Sequence, residues 1–161
     1  LPKPVLFHLI ISHMEWSSWG DVLFGLIAFV TIVRPSPETF ALFLLLAILA
    51  TAITIAYGIL ANSLVFWLGT SESLASQCLN ALLIFSTYPG SLFTGAVKVL
   101  LFSVVPAGFV AYIPADLLRE WNWSLAGSMV AAAAASMAMA TVVFYAGLRR
   151  YESGNLLAMR G

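Results

Sequence analysis

Between Glu38 and Glu72 no charged side chain interrupts the chain, and the apolar run through Phe40, Ile53, Phe66 and Trp67 is the longest of several such gaps. A helix of about 20 apolar residues crosses the roughly 30 Å hydrocarbon core while satisfying its own backbone polar groups. The pattern predicts four such elements, over residues 19–33, 39–68, 74–88 and 124–148. The run 39–68 is longer than a bilayer needs, so it is expected to tilt or protrude. Residues 1–18 are interrupted by Pro4, His8, Ser12 and His13, too short and too polar to span, and read as an interfacial segment on the cytoplasmic side.

Polar punctuation separates these elements. Arg34-Pro35-Ser36-Pro37-Glu38 stops the first span, because its prolines cannot continue a helix and its charges need water. Pro89-Gly90 breaks the third. The segment 95–113 is apolar again but holds Lys98 near its start and Pro106 and Gly108 in its middle, which frees backbone groups at membrane depth unless protein or water covers them. It is expected to be re-entrant or broken. A polar link from Pro114 to Trp123 carries interfacial tryptophans, and Arg149-Arg150 closes the last span ahead of a tail over residues 149–161.

Charge sets the orientation. Lys3, Arg149, Arg150 and Arg160 flank the outer ends of this array, whereas the turn at Arg34 and the link at Arg119 hold one cation each. Both ends are therefore expected on the cytoplasmic side. Four crossings satisfy that parity if 95–113 dips in from the outer face; a second arrangement makes 95–113 the crossing and lays 74–88 on the inner interface, and parity does not separate the two.

Composition extends this reading to the whole chain: 61% of residues are hydrophobic and 9% charged, against about 25% charged in soluble domains, with a mean hydropathy of +0.99. The fold class is all-α, a polytopic membrane protein in one transmembrane domain, with the lipid bilayer as its main partner. Zero net charge and no basic stripe argue against nucleic acid. One cysteine, Cys78, forms no internal disulfide, and His8 and His13 sit five apart, off a common helix face, so no metal site is expected. No GxxxxGK[ST] loop is present and the lysines are Lys3 and Lys98, so ATP has no P-loop here and no cofactor is expected in this chain.

Along 39–68, Ala47, Thr51, Thr54, Gly58 and Asn62 recur at steps of four, three, four and four and share one helix face. Such a face allows close helix packing or lines a path. In the last span, Gly127, Ala131 and Ala135, with Ala132, Ser136 and Ala140 beside them, form a packing face within the chain or across a dimer. Lys98 is an ionisable group among apolar residues, which points to a pathway or a paired site, or to a side chain that snorkels to the interface.

Four local patterns occur in order: Leu1-Pro2-Lys3-Pro4 with Gly20-Asp21-Val22-Leu23-Phe24-Gly25; Tyr88-Pro89-Gly90-Ser91-Leu92-Phe93-Thr94-Gly95; Val105-Pro106-Ala107-Gly108-Phe109 with Tyr112-Ile113-Pro114-Ala115; and Gly147-Leu148-Arg149-Arg150-Tyr151-Glu152-Ser153. Together they resemble the six-span permease subunits of type-2 ABC exporters, over essentially the whole chain, which then corresponds to the C-terminal two-thirds of such a subunit. The resemblance implies that the four crossings match the third to sixth spans and that the element built on Tyr88, Pro89, Lys98, Pro106 and Gly108 is re-entrant on the outer face. It implies a separate ATPase subunit, carrying ATP and Mg, that touches the segment with Lys3, Pro4 and His8. It also implies a second permease, identical or a sister, in a prokaryotic inner membrane. The contrasting expectation is a non-transporting membrane scaffold whose small-residue faces recruit other helices. An intramembrane enzyme would need paired ionisable groups at membrane depth, where only Lys98 and Asp21 stand, each alone.

Overall fold

The structure is a computed structural model that describes residues 17–68 and 72–158, with side chains for 19–68 and 73–150. Among the described residues the fold is all helix. The elements are α1 (Ser17–Ala28), continued by a π-helical turn Phe29–Val33; α2 (Pro37–Ser63); α3 (Val65–Leu68); α4 (Glu72–Thr87); a 3₁₀ turn Gly90–Leu92; α5 (Gly95–Ser103); a second π-helical turn Gly108–Tyr112; α6 (Ile113–Arg119); and α7 (Trp123–Ala158). Contacts divide the chain into two units, Leu1–Phe40 and Ala41–Gly161.

Within the first unit, α1 ends where Arg34 adopts a left-handed backbone (φ 48°, ψ 58°) and donates its N–H to the Val30 carbonyl at 3.2 Å. α2 then starts at Pro37, two residues before the expected point. Its first turn is assembled by type: the Ser36 hydroxyl accepts from the Thr39 N–H at 3.2 Å, Pro37 brings its fixed φ and no N–H, and Glu38 places a negative charge near the helix N-terminus.

By length and composition two helices are able to cross a membrane, Pro37–Leu68 and Trp123–Arg150, and a third crossing is counted if the bent pair Gly95–Ser103 and Gly108–Arg119 acts as one span. Trp19–Val33 and Ser73–Thr87 are shorter apolar helices. The long helix is broken at Leu64, where the Asn62 amide donates to the Gly58 carbonyl at 2.8 Å and the Ser63 hydroxyl to the Ile59 carbonyl at 2.6 Å. Side chains that back-bond to the preceding turn compete with the backbone ladder and bend helices. α3 then packs against α7: Phe66 meets Phe144 edge to face at 5.9 Å and lies over Gly147, where any β-carbon would collide with its ring. α7 is capped by Asn122, whose Oδ1 accepts the N–H groups of Ser124 at 2.9 Å and Leu125 at 3.2 Å.

Two apolar clusters hold the second unit together. Leu46 on α2, Ile113 and Leu117 on α6 and Met129 on α7 form one, with Phe102 and Phe109 packed on it. Leu82 on α4, Leu101 on α5 and Ala107 form the other, with Tyr57, Phe93 and Tyr112 against it. The bent pair contributes to both and is thus the hub of the unit. In lipid the gain is van der Waals packing rather than removal of apolar surface from water, so close fit decides which helices associate.

Candidate functional site

The chain turns 79° between α5 and the Gly108–Arg119 helix. The break begins where Pro106 lacks an N–H, and the Val104 and Val105 N–H groups both turn to the Leu100 carbonyl, at 3.0 and 2.9 Å. Ala107 donates to Val105 at 2.7 Å, while the Pro106 carbonyl accepts from Phe109 at 3.1 Å and Val110 at 3.0 Å. The Val104, Val105 and Ala107 N–H groups and the Pro106 carbonyl thus keep partners inside the bend, as burial in lipid demands. Gly108 is buried here, and a β-carbon would strike the ring of Phe102.

Beyond the bend, the π-helical turn carries Tyr112 back toward the end of α4. Its hydroxyl donates to the Phe85 carbonyl at 2.5 Å, across 27 residues of sequence. The ring stacks on Phe93 with centroids 6.5 Å apart and an interplanar angle of 26°. It lies so close to Gly90 that a β-carbon there would come within 3.0 Å of it. Phe85 and Phe93 meet edge to face at 5.5 Å. One tyrosine thus fastens the part of the broken segment after the bend to the preceding helix and to the turn that follows that helix.

A cavity of about 570 Å³ opens beside this fastening. From α5 it receives Lys98, Leu101 and Phe102, which share a helix face at i, i+3 and i+4; from the Gly108–Arg119 helix it receives Tyr112, Ala115, Asp116 and Arg119, at i, i+3, i+4 and i+7. The end of α4 closes it with Thr87, Tyr88 and Pro89. Two cations, one carboxylate and several hydroxyls therefore face an apolar floor. Ser86 also belongs to this wall, and its hydroxyl oxygen is covered without a hydrogen-bond partner.

Of the residues singled out from sequence, Tyr88, Pro89 and Lys98 come together around this cavity, and Pro106 and Gly108 form the bend that shapes it. Thr51, Thr54, Gly58 and Asn62 lie elsewhere, on α2. Thr51 and Asn62 are exposed, Thr54 and Gly58 half-buried, and the Thr54 hydroxyl bonds to its own helix at the Ala50 carbonyl, 2.9 Å away. Gly58 meets another helix, since a β-carbon there would sit 3.7 Å from Leu79 of α4. Lys3, Pro4 and His8 lie outside the described residues. Tyr112, Asp116 and Arg119 were not singled out, although their spacing with Ala115 marks one helical face. Among the described residues no group of three His, Cys, Asp or Glu side chains is placed to hold a metal.

Two long apolar helices and a broken apolar pair define a multi-pass α-helical membrane protein. The family described as ABC-2 family transporter protein matches residues 1–155, and the chain belongs to that family. No curated protein and no solved structure matches it.

Proposed function

We propose that the chain is a permease subunit of an ATP-driven exporter, forming a substrate path with a second permease and driven by a separate ATPase subunit that carries ATP and Mg. The observation that carries this reading is the family match over residues 1–155. The broken segment 95–113 supports it, being the element that the resemblance assigns to the outer face. Four crossings, over 19–33, 39–68, 74–88 and 124–148, put both ends of the chain on the cytoplasmic side of a prokaryotic inner membrane, with 95–113 re-entrant. The two shorter helices reach only about 22 Å at 1.5 Å per residue, so local thinning of the bilayer accompanies this topology.

The permease itself hydrolyses nothing in this reading; the ATPase switches the pair between inward-open and outward-open states. Gentle purification of the full protein from membranes, followed by mass spectrometry and an ATPase assay, tests the proposal. A stoichiometric nucleotide-binding subunit supports it, and an intact permease that reproducibly lacks one turns the reading to a membrane scaffold. The coupling surface is tested separately. His8→Glu, or Pro4→Glu, is expected to abolish transport-linked stimulation of the ATPase while insertion into the membrane is retained.

A further inference from the structure

We propose that the cavity between the end of α4 and the broken segment binds the phosphate-bearing head group of a membrane phospholipid. Lys98 and Arg119 reach it from two different helices, and a guanidinium paired with an ammonium is a donor set suited to phosphate oxygens. Asp116 offsets one of these charges, leaving the lining with an excess of one cation.

Lys98 has a defined place in this cavity. It shares its face of α5 with Leu101, which is 1% exposed and part of the core, and with Phe102. Lys98 is itself exposed, and it lines the cavity beside Leu101 and Phe102. The hydroxyls of Ser91 and Tyr88 add donors, and Phe93, Leu101 and Phe102 offer an apolar bed for the glycerol and first methylenes of a chain.

Depth agrees with chemistry. Arg119 is followed by Trp121 and Trp123, which meet edge to face at 5.2 Å, and tryptophans of this kind mark the head-group level of a bilayer. A cavity of about 570 Å³ lies within the roughly 300–1,000 Å³ range of small-molecule sites. A head group fits such a volume, with acyl chains leaving toward the membrane.

The test is native mass spectrometry of the full protein, delipidated in detergent and titrated with short-chain phosphatidylglycerol, with diacylglycerol of the same chains, and with inorganic phosphate. Phosphatidylglycerol is expected to bind, diacylglycerol to bind at least about tenfold more weakly through loss of the charge-assisted bonds, and inorganic phosphate to displace no lipid at equal concentration. The double variant Lys98→Gln/Arg119→Gln is expected to lose the same factor, and Lys98→Arg/Arg119→Lys to retain binding. Ala115→Trp, which fills the cavity without touching its charge, should also lose the lipid. Equal binding of diacylglycerol would reduce the site to an apolar groove, displacement by phosphate would make it a soluble-anion site, and full retention in both the double variant and Ala115→Trp would place the lipid elsewhere; each overturns the proposal. None of these readings involves the ATPase, so failure here leaves the permease reading standing.

Discussion

Glycines of the last helix, alike in sequence, differ in what surrounds them. At Gly147 a β-carbon would collide with the Phe66 ring, while at Gly127 it would meet nothing within 4 Å. Gly147→Ala should destabilise by about 1–3 kcal/mol, the usual cost of overpacking. Gly127→Ala should instead stabilise by about 0.5–1 kcal/mol, because the helix interior no longer holds a residue with excess backbone freedom. Thermal denaturation of the two variants in the same detergent checks the pair, and shifts of equal sign would contradict the packing of α3 on α7. Gly147 stood out in the sequence only as part of a motif with Arg149 and Arg150. Its physical reason, an aromatic ring from a helix some eighty residues earlier, is a tertiary fact that no local pattern carries.

The broken segment shows where local pattern suffices and where it stops. Pro106 and Gly108 inside an apolar run state that a helix breaks there, and the observed bend follows from the missing N–H and the missing β-carbon. Pro89-Gly90 likewise ends α4 near the expected point. Hydrophobicity alone starts α2 near Thr39, yet Ser36-Pro37-Glu38 is a complete helix start written in capping chemistry. What the pattern could not supply is the hydrogen bond from Tyr112 to the Phe85 carbonyl, since 27 residues separate the partners. Tyr112→Phe keeps the stack on Phe93 and removes only that bond, at a cost of about 0.5–1.5 kcal/mol. Amide hydrogen exchange over residues 86–93 is expected to accelerate, with exchange in α7 unchanged; an unaltered 86–93 segment would mean the ring alone makes the fastening. By the same logic Asn122→Ala, which leaves the first N–H groups of α7 uncapped, should cost about 1 kcal/mol and speed exchange at Ser124 and Leu125.

At the scale of the whole molecule, the faces of α7 separate two roles that the sequence left together. By sequence alone the small-residue positions make one packing surface, within the chain or across a dimer. In the structure Met129, Ala133, Ala140 and Gly147 form the buried stripe, with Ala132 and Ser136 half-buried along its edge, whereas Gly127, Ala131 and Ala135 are exposed. The division was not legible beforehand because both series step by four, and only the position of α6 and α3 against the helix decides which one is covered. A helix face of Gly and Ala admits another helix closely, and in lipid such close backbone approach is the main source of association. If the second permease of the proposed pair packs there, Ala131→Trp, which adds bulk to an exposed position and disturbs no buried contact, should lower the dimeric fraction of the detergent-solubilised protein by about tenfold, equivalent to roughly 1.4 kcal/mol. The thermal midpoint of the monomer should not move. Native mass spectrometry at matched protein concentration reads both species at once. An unchanged dimer fraction would assign the pairing surface to another face and leave the bare stripe to lipid, while a monomer that itself loses stability would show that Ala131 is covered within the chain.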